Sequence, residues 1–282
     1  MKKRLALILL LCFSLTMLVT GCAQKPAETP QNAGTQTQTQ EPADKSFQTI
    51  KDKGFFTLGL DDAFPPMGFR DEKTNEIVGF DIDLAKEAAK RMGVEVKFQP
   101  VIWDTVVEEL NNGKIDVIWN GLTITPARQE KIAFTQPYIT DKQIIVVKKG
   151  SPLADKKALA GKKVGIQAAS SAIEAVEKDK ATFDSLGELV QFDNNVDALL
   201  DLKSGRIDAV VVDEVVGRYY LAKHAEDYQV LTENFGEESF GVGVRKADVT
   251  FLAELQKALD AMKADGTSKQ ISEKWFGENL IK

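Results

Sequence analysis

Cysteine is almost missing from this chain of 282 residues: there are 2, Cys12 and Cys22, both near the N-terminus. Everything beyond Cys22 therefore lacks a disulfide, a thiolate nucleophile and a thiolate metal ligand. A chain this long can bury a core that needs no such staple. Histidine is scarcer still: His224 stands alone in Tyr219-Tyr220-Leu221-Ala222-Lys223-His224. The polar end of that segment suggests a surface position. No metal-ligand spacing and no Gly-rich phosphate loop of the P-loop type appears. No catalytic set is apparent and no cofactor is expected. Beyond the first segment, no apolar run approaches the ~20 residues of a membrane-spanning helix. Positive charge is also short, with 36 Lys and Arg against 42 Asp and Glu. That balance argues against a nucleic-acid partner and favours solubility.

What is present begins with a targeting segment. Lys2, Lys3 and Arg4 precede an uncharged apolar run over residues 5–19. The run is too short to span a bilayer comfortably and fits the h-region of a secretory signal. It ends in Leu18-Val19-Thr20-Gly21-Cys22. This resembles a bacterial lipobox, where the signal is cut before the cysteine and the thiol is lipidated; a plain signal peptide is the alternative. The expected signal is residues 1–21, with Cys22 as the lipid anchor to the cell membrane. Losing Lys2, Lys3 and Arg4 with it takes the formal charge from −6 to −9. Residues 23–46 are rich in Gln, Thr, Pro and Ala and hold no aromatic residue. Such a segment cannot bury enough apolar surface to order itself. As a flexible tether it would reach about 25–30 Å on average.

From residue 47 onward the chain is long enough for two compact lobes. Phe55-Phe56-Thr57-Leu58-Gly59-Leu60 reads as a buried strand. Residues 81–92 read as a helix, with Leu84, Ala85, Ala88, Ala89 and Met92 at helical spacing and Gly93 as the stop. A strand is expected over 94–98, a helix over 103–110 and a strand over 115–119. The second half starts alike: strand 163–167, helix 172–180, strand 189–192, helix 196–202, strand 206–212. Such alternation implies α/β sheets covered on both faces. A local repeat joins the halves. Leu110-Asn111-Asn112-Gly113-Lys114-Ile115-Asp116-Val117-Ile118 matches Leu202-Lys203-Ser204-Gly205-Arg206-Ile207-Asp208-Ala209-Val210. In each, a helix ends, glycine permits a left-handed turn, and a buried strand begins. The first copy runs on into Asn120, Gly121 and Thr123; the second reaches Asp213. In open α/β sheets, ligands bind beyond the carboxyl ends of strands.

Thr125-Pro126-Ala127-Arg128 carries the sharpest signal. Thr125 suits an N-cap and Pro126 the first helical position, which puts Arg128 in a first turn. A cation there opposes the helix macrodipole, so an anion is expected nearby. Arginine also offers a two-pronged fit to a carboxylate. A surface arginine paired with Glu130 or Asp141 is the plain alternative. Gln167-Ala168-Ala169-Ser170-Ser171 turns a strand into a helix and aims free N–H groups outward, as an anion site or as ordinary capping. Asp213 ends an apolar strand and needs a cation or several donors. Phe64 and Trp103 stand beside turns, as core residues or as pocket walls.

These marks together resemble the polar amino-acid family of bacterial solute-binding proteins, receptors of ABC importers. The likeness runs through residues 61–69 (DDAFPPMGF), 79–93 (GFDIDLAKEAAKRMG), 113–128 (GKIDVIWNGLTITPAR), 161–171 (GKKVGIQAASS), 205–214 (GRIDAVVVDE) and 274–277 (KWFG). The resemblance implies a two-lobe, type II periplasmic-binding-protein-like α/β fold, each lobe a sheet flanked by helices, joined by a two-strand hinge. The expected lobes are 47–139 with 238–282, and 140–237. It implies that Arg128 grips a ligand α-carboxylate, helped by N–H groups at Thr123, Ser170 and Ser171. Asp213 then holds the α-ammonium, with the Gly121 carbonyl and Thr123 hydroxyl. Phe64 and Trp103 sandwich the side chain, and Asp61, Asn120, Gln167 and Val212 set its specificity. A carboxylate at Asp61 favours a basic or amide side chain and disfavours Glu or Asp. Gln167 stands where glutamine binders carry lysine, and Val212 where they carry histidine, so cystine or another uncharged polar amino acid stays open. The implied partners are a free amino acid and an ABC permease, with the protein acting as a monomer outside the cytoplasm. A dehydratase acting on cyclohexadienyl substrates and a sensory domain are the competing classes on this fold.

Overall fold

The computed structural model describes residues 44–282. The expected signal, Cys22 and the tether up to residue 43 lie outside the described residues. The last expected tether residues do not dangle. Asp44 accepts from the Thr250 N–H at 2.5 Å and from its hydroxyl at 2.7 Å, and the Ser46 hydroxyl lies 3.0 Å from the Thr250 hydroxyl. The chain is thus held from Asp44, and the first helix, Ser46–Lys53, starts at Ser46.

In the first lobe, β1 (Phe55–Leu60) leads through a small three-stranded sheet, β2 (Ala63–Phe64), β3 (Gly68–Arg70) and β4 (Ile77–Val78), to the helix Phe80–Met92. Then come β5 (Glu95–Pro100), β6 (Val117–Ile118) and β7 (Ala133–Phe134). The chain next enters the second lobe with a ten-residue strand, β8 (Ile139–Lys148), followed by β9 (Lys163–Gln167), β10 (Glu188–Phe192) and β11 (Ala209–Asp213). A thirteen-residue strand, β12 (Tyr228–Phe240), runs antiparallel to β8, and β13 (Gly243–Val244) re-enters the first sheet. The sheet orders are β5-β1-β6-β13-β7 and β10-β9-β11-β8-β12. Each has three adjacent parallel strands, then antiparallel neighbours. The repeat seen in the sequence is thus a repeat of topology.

Both sheets are covered on both faces, as their apolar strands require. Along β11, Val210 and Val212 join one core cluster, while Ala209 and Val211 join another. In the first lobe, Val117 faces the cluster containing Leu58, Phe80 and Trp119, and Ile118 faces Leu110 and Leu122. The helix Phe80–Met92 buries Leu84, Ala85, Ala88, Ala89 and Met92 and stops at Gly93, as its spacing predicts.

Several boundaries moved for physical reasons. The expected helix over 103–110 begins as a tight 3-10 turn, Trp103–Thr105, before Val106–Asn111. The helix expected to reach 180 ends at Lys178, because Asp179 turns its carboxylate to the Thr182 N–H and caps a second short helix, Lys180–Phe183. The expected strands 115–119 and 206–212 narrow to β6 and β11. Among the described residues no helix is long and apolar enough to cross a membrane.

Candidate functional site

Arg128 lies where its local sequence puts it. Thr125 has extended backbone (φ −113°, ψ 154°), and its hydroxyl accepts from the Arg128 N–H at 3.2 Å, capping the helix Pro126–Gln129. The guanidinium does not pair with Glu130 or Asp141. It donates to the Thr123 carbonyl at 3.0 Å and, across the lobes, to the Ala169 carbonyl at 3.1 Å. Its carbon sits 5.8 Å from the Trp103 ring centre, within cation–π range. Burial pushes this guanidinium down from its ordinary value, while Glu238, Asp213 and Glu174 act to raise it.

The lobes meet through polar side chains. The Thr123 and Ser171 hydroxyls are 2.9 Å apart, and the Thr125 hydroxyl donates to Glu174 at 3.2 Å. Gln167 donates to Asp61 at 2.8 Å. Asp61 also accepts from the Ala63 N–H at 2.9 Å, so it closes its own turn and reaches the other lobe at once. Burial pushes the Asp61 carboxyl above its usual range. The Asp61 N–H donates to the side chain of Asn120, whose own amide nitrogen has no partner. Asn195 donates to the side-chain oxygen of Gln167, Oε1, at 3.1 Å.

The Phe64 ring is buried against Gly121: a Cβ there would fall 2.9 Å from Phe64 Cε1, and Gly121 sits at φ +60°, which a side chain rarely adopts. The Gly121 N–H donates to Asp81 at 2.8 Å, and the Tyr138 hydroxyl donates to the same carboxylate oxygen at 2.9 Å. Asp81 is fully buried, and burial raises its carboxyl to about 7.

On the second lobe, Asp213 ends β11 with 5% of its surface exposed. Gln143 donates to it at 3.0 Å, to Glu238 at 2.8 Å and to Ser171 at 3.4 Å. Asp141, Asp213 and Glu238 bring carboxylate oxygens within 4.8 Å of one another. Such a set suits a cation, although Asp141 is already engaged by the N–H groups of Glu214 and Val215, at 3.0 and 3.2 Å. Burial, with Glu238 and Asp141 as negative neighbours, pushes the Asp213 carboxyl well above its usual range. Burial and Glu238 do the same to Asp141.

The residues singled out in the sequence therefore converge, with differences of detail. Arg128, Thr123, Ser171 and, through Gln143, Asp213 form one interlobe network, and Asp61, Asn120 and Gln167 form a second; Phe64, Gly121 and Trp103 stand beside them. Ser170 turns its hydroxyl back to the Gln167 carbonyl at 2.8 Å, as part of the turn. Val212 packs into an apolar cluster with Ile144 and Ala198. His224 is half-exposed, with its ring stacked 6.5 Å from Tyr220. Gln143, Glu174 and Glu238 were missed. The one local signal was a polar Gln143 abutting the apolar run Ile144-Ile145-Val146-Val147.

Two α/β lobes with matching parallel orders, β5-β1-β6 and β10-β9-β11, connected by β8 and β12, define the type II periplasmic-binding-protein architecture. The chain belongs to the bacterial extracellular solute-binding proteins, family 3, whose profile matches residues 56–278. It is similar to the L-cystine-binding protein TcyJ of Escherichia coli (strain K12), 32% identical, with 83% of this chain and 86% of that protein covered. It is also similar to the ABC transporter glutamine-binding protein GlnH of Bacillus subtilis (strain 168), 31% identical, with 99% of each covered. Among solved structures, an ABC uptake transporter substrate-binding protein from Streptococcus pneumoniae with bound histidine superposes with a TM-score of 0.81. It is 37% identical, with 85% of this chain and 98% of that one covered.

Proposed function

We propose that the chain is the extracytoplasmic substrate receptor of an ABC importer, closing its two lobes on one polar amino acid and handing it to the permease. Arg128 takes the α-carboxylate, helped by N–H groups at Thr123, Ser170 and Ser171. Asp213 takes the α-ammonium, with the Gly121 carbonyl and Thr123 hydroxyl. Phe64 and Trp103 flank the side chain, and Asp61, Asn120, Gln167 and Val212 meet its far end. The observation that carries this reading is the hydrogen-bond path from Arg128 through Thr123, Ser171 and Gln143 to Asp213, which crosses from one lobe to the other.

The path supports a zwitterion because it offers opposite charges from opposite lobes. Closing the lobes removes water, and each contact then strengthens. The ligand favours the closed state because it binds that state better. The buried Asp61 carboxylate, with Asn120 and Gln167 beside it, favours a basic or amide side chain. The relative named for glutamine bears on the amide class, and the one named for cystine bears on the uncharged polar alternative. Lipidation at Cys22 after removal of residues 1–21 would tie a monomer to the cell membrane. The lobes on either side of the cleft are taken as 47–139 with 238–282, and 140–237. Binding without turnover is expected, with no activity on prephenate or arogenate.

A thermal-shift screen of residues 44–282 against the common amino acids and cystine tests this. A cognate ligand at a hundredfold excess over its dissociation constant adds ~2.7 kcal/mol of stability. A screen in which no amino acid raises the melting temperature overturns the reading.

A further inference from the structure

The acidic side of the cleft holds more carboxylate than one ammonium needs. In the β8–β12 ladder Asp141 stands directly opposite Glu238, and in the β8–β11 ladder Gln143 stands opposite Asp213. Positions 141 and 143 share one face of β8. The four side chains therefore form a single patch. Like charges directly opposite each other in a sheet are destabilising. Among the described residues, none of Asp141, Asp213 and Glu238 makes an ion pair. Gln143 ties Asp213 to Glu238 through its amide nitrogen, while its carbonyl oxygen, deeply buried with the residue 1% exposed, has no partner. An unpaired acceptor beside clustered carboxylates is the lining that a group with several N–H donors would satisfy.

We propose that Glu238 and Gln143 complete the ammonium subsite, and that an amino acid entering it displaces a proton held by the buried carboxyls Asp213 and Asp141, which face Glu238. The inference rests on the receptor reading above. The ligand arrives as –NH3+ and keeps its three protons. The O–H bond of one carboxylic acid breaks, its proton leaves to buffer, and the freed carboxylate pairs with the ammonium.

The surrounding charges leave this role to the cluster itself. On β8, Lys142 pairs instead with Glu214 at 3.2 Å, and Glu214 also pairs with Arg218 at 2.5 Å. On β12, Glu237 is exposed. From the first lobe, Arg128 directs its hydrogen bonds to the carbonyls of Thr123 and Ala169 and does not reach the carboxylates. Glu174, on the helix Ser171–Lys178, accepts from Thr125 and adds only negative charge. Burial and the neighbouring negative charges raise the Asp213 and Asp141 carboxyls, which favours the protonated form.

Calorimetric titration of the wild-type protein with L-arginine, L-glutamine, L-histidine and L-cystine, in buffers of different ionisation heat, measures the proton directly. The expected result is release of about one proton per ligand, with affinity rising with pH by up to about tenfold per unit wherever the cluster still holds its proton. Glu238→Gln removes one carboxylate from the cluster, so the release shrinks and the pH slope flattens. Gln143→Leu removes the bridge and weakens binding about tenfold, as loss of hydrogen bonds to charged groups does. An amino acid that binds with no buffer dependence overturns this inference and leaves the receptor reading intact. So does a Glu238→Gln variant with an unchanged pH slope. If none of the four binds and no other amino acid in the thermal-shift screen does, both fail together.

Discussion

In the first lobe, Gly113 turns the chain at φ 74°, Ile115 occupies the space a side chain at Gly59 would need, and Asp116 accepts from the Thr57 N–H at 2.9 Å. In the second, Gly205 turns at φ 77°, Ile207 occupies the space above Gly165, and Asp208 accepts from the Lys163 N–H at 2.9 Å. The return bonds also match, from Asp116 N–H to Thr57 and from Asp208 N–H to Lys163, both at 2.8 Å. Two devices set the start of the third parallel strand in each lobe: a plug against a glycine and an aspartate that clasps the neighbouring strand. The copies part company around the aspartate and beyond the strand end. Asp116 is enclosed, with Lys53 at 2.8 Å and Arg245 at 3.2 Å, whereas Asp208 is 40% exposed and has only Lys162, at 3.8 Å. Past the strands, one lobe presents Asn120, Gly121 and Arg128, and the other presents Asp213. Sheet construction is shared; polarity is not.

The largest test of that division is Arg128→Ala. Removing one charged pole from a desolvated cleft costs ~2–5 kcal/mol of binding, while the lobe scaffold is untouched. Calorimetry should show a loss of most measurable affinity with an unchanged melting temperature for the ligand-free protein. Wild-type-like affinity would break the assignment of opposite poles to opposite lobes.

Next in size is the pair Gly59→Val and Gly165→Val. Each drives a side chain into an isoleucine, and overpacking of this kind costs about 1–3 kcal/mol. Urea unfolding should give losses of similar size for the two. A large loss in one lobe and none in the other would mean that the shared plug is not equivalent.

The smaller contrast is Asp116→Asn against Asp208→Asn. Asp116 lies at a buried junction and loses bonds to charged partners, so about 1–3 kcal/mol is expected. The exposed Asp208 should change stability by less than about 0.5 kcal/mol. The loss in Asp116→Asn should also depend on pH in the acid range. Burial pushes Asp116 up, but Lys53, the Thr57 N–H and Arg245 outweigh it and hold its carboxyl below 3.8. A depressed folded-state value stabilises the native protein fully above the unfolded-state value, and the gain is lost as pH falls through the folded-state one. Denaturation midpoints for wild type and Asp116→Asn should therefore draw together as pH falls below 3.8 and through the depressed folded-state value.

The parts of the fold that could be read from the chain were those with local causes. β1 is a run of apolar residues, the helix Phe80–Met92 has its period and its stop, and the helix at Arg128 has Thr125 and Pro126. β8 and β12 were not delineated. β8 opens with polar Thr140, Asp141 and Lys142 before its apolar run. β12 carries polar residues through most of its length and shifts register between Val230 and Asn234 and again between Asn234 and Glu237, so no alternation survives. Their pairing is long-range, and so is what they deliver: Gln143 and Glu238 are 95 positions apart and meet only across the ladder. Asp213 was legible because its own strand points to it. Its neighbours belong to other strands.

The clasp between Asp44 and Thr250 fastens the start of the described chain to the lobe that bears Arg128. Everything ahead of residue 44 joins the molecule on the side that bears Arg128, and the side bearing Asp213 is reached only through the two crossing segments. If the proposed lipid at Cys22 ties the protein to a membrane, the basic jaw is the one held and the acidic jaw the one free to swing. A dye on the exposed face of the acidic jaw, read against one in the membrane, would report each bite.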